Sequence, residues 1–141
     1  MEGNNKIGAS NEEQLQILSK LEEEIENYAK QPDSYGGFCI MLDAPGGTGK
    51  TYLIETIAAY CSINKHLCLC SAFSGVAAQL LPNGITIHRR FGMVPGMDPK
   101  QNCNVSGESA KAAVLREAKV LTSKIYASMK IFFMRFWFLT R

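Results

Sequence analysis

The sequence predicts an α/β fold built around a parallel βαβ unit, and three observations lead to this prediction. Residues 38–43 and 67–70 form two apolar runs with the length and composition of buried strands. Between them, apolar side chains recur at helical spacing from Lys50 onward. A glycine-rich segment, residues 44–51, joins the first run to this helix. In such a unit we expect a right-handed crossover, with a ligand beyond the carboxyl end of the first strand.

An amphipathic helix of about five turns is predicted before the first strand. Ser10 and Glu13 have the spacing of a capping box, which marks the start of a helix. Apolar residues then follow at helical spacing with glutamates between them: Leu15, Leu18, Leu21, Ile25 and Tyr28. Residues 32–37 contain proline, aspartate, serine and glycine, so we expect a turn-rich linker there.

The second half of the chain has weaker local signals. Residues 75–81 predict a short helix that ends at Pro82–Gly84, and residues 109–118 predict another helix by composition. Residues 92–107 show no sustained period, which indicates a surface loop. We expect a further strand to begin near Lys119.

A chain of 141 residues has room for one domain of ordinary size. We expect a flexible N-terminus at 1–9, one domain at 10–120, and an atypical basic and aromatic tail at 121–141. The nearly all-apolar segment 131–139 is too short to span a bilayer, which takes about 20 residues. If the tail folds, we expect it to take the place of a core strand. If it stays exposed, its aromatic and β-prone composition makes it an aggregation hazard.

The net charge is +2, but acidic and basic side chains are unevenly distributed. Residues 1–43 carry nine acidic and three basic side chains, whereas residues 44–141 carry four acidic and twelve basic ones. The basic part is suited to meet a polyanion such as nucleic acid. A dispersed basic excess also serves solubility alone, so charge by itself does not identify a partner.

The five cysteines are odd in number and lack the paired C-x-x-C spacing of zinc sites. Cys39, Cys68 and Cys70 lie in apolar runs, which predicts small core hydrophobes in a reducing compartment. The polar N-terminus has neither a signal nor a transit pattern. We therefore expect a nuclear or cytoplasmic protein that is neither secreted nor bound in a membrane.

Residues 44–51, Ala-Pro-Gly-Gly-Thr-Gly-Lys-Thr, predict a phosphate-binding loop at the end of the first strand. Gly46, Gly47 and Gly49 allow positive φ angles, so that successive amides, including that of Thr48, form a cradle for nucleotide phosphates. The usual pattern begins with glycine, and the alanine in that place is a small departure. The alternative is a glycine-rich turn without a ligand.

Two side chains complete the predicted loop. Lys50 adds a positive charge on the β- and γ-phosphates, which makes it the catalytic candidate. The Thr51 hydroxyl is placed to bind Mg²⁺ at the start of the following helix. The predicted cofactors are a nucleotide and Mg²⁺.

Two motifs at the right separation make a family resemblance more specific than the loop alone. The loop with its preceding aspartate, at 43–51, and the segment Ser-Ala-Phe-Ser-Gly-Val-Ala-Ala-Gln-Leu-Leu at 71–81 are followed by Thr86 and His88. Together they resemble the petite-integration-frequency (Pif) family of DNA helicases, including the helicase domains of Helitron transposons. The resemblance covers about residues 10–120. It implies a partial RecA-like P-loop NTPase domain that uses ATP and Mg²⁺ and binds single-stranded DNA, in a family linked to DNA repair, recombination and telomere maintenance.

The resemblance also implies roles for individual residues. Gln14 would hydrogen-bond the adenine edge, because an amide both donates and accepts. Ser74 and Gly75 would contact the DNA backbone, while His88 and Phe91 would lie near the bases. The alternatives are an exposed glutamine for Gln14, a structural histidine for His88 and a core contact for Phe91.

The chain departs from the family pattern after Val120, within the last predicted strand. The resemblance implies an Asp-Glu pair at the end of that strand, where the aspartate helps to hold Mg²⁺ and the glutamate positions water. No aspartate or glutamate follows Glu117. This sequence also contains no second RecA-like domain, whose arginine finger would be worth a factor of about 10³ to 10⁵ in rate. We expect this chain alone to hydrolyse ATP negligibly.

Three functions remain open from the sequence. The first is an ATP-dependent DNA helicase by descent, and the second is a noncatalytic remnant that binds nucleotide or single-stranded DNA, or an inactive pseudogene product. The third is another P-loop NTPase or kinase, which would carry its own lid or switch motif. No such motif is visible, and the segment at 74–88 favours the helicase lineage. The sequence does not indicate the oligomeric state.

Overall fold

Helices and strands alternate along the part of the chain that the computed structural model describes, which comprises residues 12–31, 38–43, 47–94, 96, 98, 103–125 and 128–133. The strands are β1 (Phe38–Asp43), β2 (Cys68–Ala72), β3 (Ile85–Thr86), β4 (Val120–Ile125) and β5 (Ser128–Phe133). The helices are α1 (Glu12–Lys30), α2 (Lys50–Ile63), α3 (Gly75–Gln79), α4 (Ile87–Phe91) and α5 (Ala110–Glu117).

The described strands form one sheet in the order β1-β5-β4-β2-β3. Strand β2 pairs in parallel with both β3 and β4. Strand β5 runs antiparallel to both of its neighbours, β1 and β4. Strand β1 consequently points the same way as β2, β3 and β4. The predicted α/β class is confirmed, and the three adjacent parallel strands are consistent with a partial RecA-like domain.

Strand β5 occupies an interior position of the sheet. Its Ile131 lies in register with Ile40 of β1 on one side and with Thr122 of β4 on the other. Only two residues separate β4 from β5, which is the length of a tight hairpin connection. Up to Phe133, this placement agrees with the prediction that a folded tail takes the place of a core strand. Residues 134–141 lie outside the described part of the chain.

One face of the sheet is covered by α1 and α2. Helix α1 forms because its apolar side chains recur every three or four residues, and this stripe is buried while the glutamates between them are more exposed. Removing each such side chain from water contributes about 1.5–3 kcal/mol. The resulting core unites the two helices with β2 and β4 through Leu18, Leu21, Ile25, Leu53, Ile54, Ile57, Cys70, Ala72 and Val120.

The opposite face of the sheet is covered by α4 and α5. Successive side chains of a strand point to opposite faces, so Leu69 of β2 and Leu121 of β4 face away from the first core. They pack against Leu115 of α5 and Ala118, and Phe91 of α4 contacts the same cluster. At β2 and β4 the sheet is therefore covered on both faces, as in layered α/β domains.

The prediction that Cys39 is a core hydrophobe is wrong, because its side chain is exposed. Strand β1 lies at one edge of the described sheet. Alternation along this strand directs Ile40 and Leu42 toward the core, and directs Cys39 and Met41 to the other side, where Met41 is 63% exposed. The same prediction is confirmed for Cys70, which is buried against α2 and β4.

Most other predicted elements are confirmed, with shifted ends. The short helix after β2 ends at Gln79, two residues before its predicted end. The sequence did not predict β3 or α4, which have two and five residues and are too short to show a period. The predicted cap at Ser10 and linker at 32–37 lie outside the described residues. Within those residues, no helix has both the length and the apolar character needed to cross a membrane.

Candidate functional site

The described part of the predicted phosphate loop has the backbone conformation that the sequence indicated. Gly47 and Gly49 have φ angles of 80° and 86°, in the region that side chains disfavour. Gly47 and Thr48 are exposed to solvent. Gly46, with the rest of 44–46, lies outside the described residues. The loop therefore presents a turned, accessible backbone directly before a helix.

Lys50 is the first residue of α2, with Gly49 at the cap position. The Lys50 side chain is only 8% exposed, and its Nζ donates to Oγ1 of Thr48 at 3.4 Å. The ammonium thus stays folded against the loop and does not extend into solvent. The first amides of a helix also concentrate positive potential at its N-terminus. Backbone and side chain together create a positive environment at this end of α2.

Gln14 reaches from α1 to the phosphate loop. Its Nε2 donates to the backbone oxygen of Thr48 at 3.2 Å. The same amide nitrogen lies where a Cβ on Gly49 would be, so any larger residue there would collide with it. Helix α1 is tied in this way to a loop 34 residues later in the chain. This contact places Gln14 at the loop, beside the residues predicted to hold the nucleotide.

Thr51, the predicted Mg²⁺ ligand, has a cationic neighbour. Nζ of Lys124 donates to Oγ1 of Thr51 at 2.8 Å, a short charge-assisted hydrogen bond. Lys124 lies one residue before the end of β4, and its backbone pairs with Ala72 of β2. The contact links positions 73 residues apart and brings the end of β4 against the first turn of α2. Sequence reasoning missed Lys124 as a residue of this site.

The residues around Thr51 do not fit a bound Mg²⁺. This ion takes oxygen ligands in a close octahedron at about 2.0–2.1 Å and is usually held through one or two carboxylates. Strand β4 ends in Lys124 and Ile125, where the family resemblance implies an acidic pair. Across the described segments, no group of three or more His, Cys, Asp and Glu side chains is placed to hold a metal ion. An ammonium, not a carboxylate, adjoins the threonine hydroxyl.

The segment after β2 carries two of the predicted DNA contacts. The Ser74 side chain caps α3 by accepting a hydrogen bond from the backbone N–H of Ala77 at 3.2 Å, which is why the helix begins here. Ser74 and Gly75 are both exposed. A Cβ placed on Gly75 would meet nothing within 4 Å. The surface above this turn is open.

His88 and Phe91, the other predicted DNA contacts, lie on α4 in different surroundings. The His88 ring stands edge-on to that of Phe73, with ring centroids 5.4 Å apart and planes inclined at 65°. Phe73 is 43% exposed, so this aromatic pair is accessible. Phe91 instead packs against the second core cluster. Phe73 is a further candidate, and its sequence signal is an aromatic residue directly before the polar Ser-Gly turn.

The two adjacent arginines of α4 differ in environment. Arg89 is exposed, and its backbone oxygen accepts a hydrogen bond from Nζ of Lys111. Arg90 is half-buried and donates to Oγ of Ser71 at 3.1 Å and to the backbone oxygen of Cys70 at 2.7 Å. Burial lowers the pKa of Arg90 from its usual value. Arg90 therefore fastens α4 to β2, whereas Arg89 faces solvent.

Three cysteines meet at the contact of α2 with β2. The hydrogen bond with Cys61 raises the pKa of Cys68, the hydrogen bond with Cys68 raises that of Cys70, and burial raises both further. Thiols with raised pKa values stay protonated near neutral pH and are poor nucleophiles. This cluster therefore belongs to the core and not to a catalytic site.

A groove of about 570 Å³ lies beside α2, away from the phosphate loop. Its walls include Glu55, Ser62 and His66 on one side and Leu80 and Asn83 on the other. None of its lining residues belongs to the loop at 47–51. The groove and the loop are separate features.

Comparison of the sequence with known protein families gives a match. A sequence model of the PIF1-like helicase family matches residues 10–130. The match extends through β4 and into β5, beyond the domain end predicted at residue 120. No curated protein matches the chain.

Proposed function

Because the chain belongs to the PIF1-like helicase family, we propose that its phosphate loop binds ATP. Helicases of this family use a nucleotide and Mg²⁺ in general, and their substrate is DNA. In the proposed complex the amides of Gly46, Gly47, Thr48 and Gly49 surround the phosphates. Nucleotide binding by this particular chain is the function that its site supports best.

The observation that carries the proposal is the conformation of the loop at the start of α2. Gly47 and Gly49 have positive φ angles, and α2 begins directly afterwards at Lys50. The backbone N–H groups of the loop and of the helix N-terminus are thereby directed toward the same space. Lys50 contributes a point charge that can move from the Thr48 hydroxyl to a phosphate oxygen. The loop therefore offers hydrogen-bond donors and a cation for an anionic ligand.

Gln14 is proposed to hold the nucleotide from the side of α1. Its amide already lies at the loop, where it donates to the Thr48 backbone. A side-chain amide has two N–H groups and an acceptor oxygen, so it can both donate to and accept from a ligand. This position supports a role for Gln14 in joining the adenine end of the ligand to the loop.

Single-stranded DNA is the proposed macromolecular partner. The exposed Ser74–Gly75 turn offers a hydroxyl and open backbone, and the accessible pair of Phe73 and His88 offers rings on which bases can stack. Phe91 is proposed to support this surface from the core side, since it packs against the second core cluster. The family supports roles in DNA repair, recombination and telomere maintenance, in the nucleus or the cytoplasm.

We further propose that this chain alone turns over ATP very slowly. Phosphoryl transfer is driven by positioning and by stabilisation of charge, and β4 supplies neither a metal-binding aspartate nor a water-positioning glutamate. Lys124 and Ile125 stand at the end of that strand. The absence of both acidic residues from β4 also favours the alternative function, which is a noncatalytic module that binds nucleotide and single-stranded DNA.

Calorimetric titration with ATP, combined with a hydrolysis assay with and without single-stranded DNA, tests these proposals. We expect ATP binding by the wild-type chain, loss of binding in Lys50→Ala, and hydrolysis close to the rate in buffer. Lys20→Ala, which changes an exposed lysine of α1, is the matched control and should bind as the wild type does. Circular dichroism of Lys50→Ala verifies its fold, because Lys50 is buried.

Two results would contradict the proposals separately. A wild-type chain that fails to bind ATP would overturn nucleotide binding. DNA-stimulated hydrolysis that disappears in Lys50→Ala would instead show that the chain is a competent ATPase, and it would overturn slow turnover.

A further inference from the structure

Two lysines, and not one, approach the phosphate loop. Lys50 begins the first turn of α2, and its Nζ hydrogen-bonds the Thr48 hydroxyl. Lys124 approaches from β4 and its Nζ hydrogen-bonds the Thr51 hydroxyl at 2.8 Å. Each hydroxyl of the described loop therefore accepts from an ammonium group, and the two ammonium groups come from different layers of the fold.

The second lysine stands where a divalent cation would be needed. In phosphate loops the hydroxyl at the position of Thr51 is a ligand of Mg²⁺, whose role is to neutralise the β- and γ-phosphate oxygens. An ammonium within 2.8 Å of that oxygen would repel a nearby divalent cation. The same ammonium is itself a cation that donates up to three hydrogen bonds to phosphate oxygens.

The partner of Lys124 at the loop is the hydroxyl of Thr51. The one acidic residue of α2, Glu55, lines the groove away from the loop, and no aspartate or glutamate follows Glu117. The ammonium of Lys124 therefore places a positive charge beside Thr51. An anionic ligand is the natural counterpart of two converging ammonium groups.

We propose that Lys124 replaces Mg²⁺ in this chain, so that the loop binds the triphosphate of free ATP without a metal ion. The inference rests on the proposed function of the loop and specifies the form of its ligand. Lys50 and Lys124 each contact phosphate oxygens, while Thr51 orients Lys124 and does not ligate a metal. The chain then prefers the uncomplexed nucleotide, because MgATP would place a divalent cation against Lys124.

Calorimetric titration of the full chain with ATP, in excess Mg²⁺ and in EDTA, tests this preference. We expect wild-type affinity in EDTA to equal or exceed that in Mg²⁺. Lys124→Gln removes the charge and should weaken binding in EDTA about tenfold, as expected when one charge-assisted hydrogen bond is lost. Lys124→Arg keeps the cation and should retain most of the affinity. Lys20→Gln is the matched control for loss of a lysine elsewhere.

The sharpest test is a variant that reverses the preference for metal-free ATP over MgATP. Lys124→Asp introduces a carboxylate beside Thr51, so we expect this variant to bind ATP better in Mg²⁺ than in EDTA by about tenfold. If Lys124→Asp unfolds, the comparison of Lys124→Gln with Lys124→Arg still decides whether ATP binding in EDTA needs a cation at this position. All titrations measure binding, so they do not depend on turnover.

The possible outcomes separate the inference from the function on which it rests. Wild-type binding that requires Mg²⁺ would overturn the role of Lys124 and leave nucleotide binding intact. Equal affinities of wild type and Lys124→Gln in EDTA would do the same. Absence of ATP binding in both buffers would overturn both proposals.

Discussion

Gly49 determines the shape of the phosphate loop at the scale of one residue. Its φ of 86° is unfavourable for any side chain, and a Cβ there would also collide with the Gln14 amide. Gly75 lies at the start of another helix, yet a Cβ there would meet nothing within 4 Å. The two glycines therefore form a matched pair.

We expect Gly49→Ala to lower the free energy of unfolding by about 1–2 kcal/mol, the cost of a left-handed conformation for a residue with a side chain. It should also weaken ATP binding, because Gln14 and the loop backbone must separate. Gly75→Ala should stay within about 0.5 kcal/mol of wild type. Urea unfolding followed by circular dichroism measures both. Equal effects of the two substitutions would contradict the role assigned to Gly49.

The residues of the site differ in how far the sequence predicts them. Gly47, Gly49, Lys50 and Thr51 follow from a contiguous motif, because phosphate binding needs these residue types in one short segment. Lys124 could not be found in this way. Its contact with Thr51 arises only when strand pairing sets the position of β4, and no local pattern marks a lysine near the end of an apolar strand.

At the scale of elements, a polar contact joins α1 to α2 beside their apolar interface. The hydroxyl of Tyr60 donates to Oε1 of Glu26 at 3.1 Å, and Nε2 of His66 lies 3.5 Å from the same oxygen. Burial, the hydrogen bond with Glu26 and the negative charge of Glu26 raise the pKa of Tyr60 to about 12. The protonated tyrosine is thus favoured in the folded state.

This raised pKa predicts a stability change in alkaline solution. The Tyr60 contribution is fully present below the unfolded pKa of about 10 and is lost as the pH rises from there toward the folded value of about 12. We expect the difference in unfolding free energy between wild type and Tyr60→Phe to decrease across that window. Urea unfolding at several pH values measures it.

The carboxylate of Glu26 provides the control for this prediction. Glu26→Gln removes the charge and should reduce the pH dependence without removing the tyrosine. A difference between wild type and Tyr60→Phe that stays constant from pH 9 to pH 12 would be incompatible with the raised pKa.

Length decides which elements the sequence predicts. Helix α1 has 19 residues and helix α2 has 14, so several turns repeat the same apolar spacing. Helix α4 has five residues, and it is formed by tertiary contacts such as the hydrogen bonds from Arg90 to Ser71 and Cys70. Such contacts are invisible in a local window of sequence.

For the whole molecule, the position of β5 is the feature that the sequence predicts least. Its apolar composition indicates a buried strand, but composition does not determine direction or neighbours. The antiparallel placement between β1 and β4 follows from the two-residue connection to β4, which favours a hairpin. Parallel neighbours would need a crossover of a dozen or more residues.

An interior β5 predicts a strong effect of proline. Ile131→Pro removes a backbone N–H from a strand that pairs on both sides, so we expect the free energy of unfolding to fall by about 3 kcal/mol. Ile131→Val keeps the N–H and a β-branched side chain and should retain a cooperative transition. Urea unfolding compares the two variants. An unchanged midpoint for the proline variant would show that β5 is not an interior strand.

The sheet order also determines when, during synthesis, the strand before the phosphate loop can pair with its neighbour. Strand β1, which ends directly before the loop, has β5 as its only partner within the described sheet. The ribosome makes residues 38–43 about ninety positions before their partners at 128–133, as the antiparallel register of these strands shows. A nascent chain can form α1 and α2 early, because both helices are local. Its β1 lacks this partner until β5 emerges, so the strand before the loop is paired only late in synthesis.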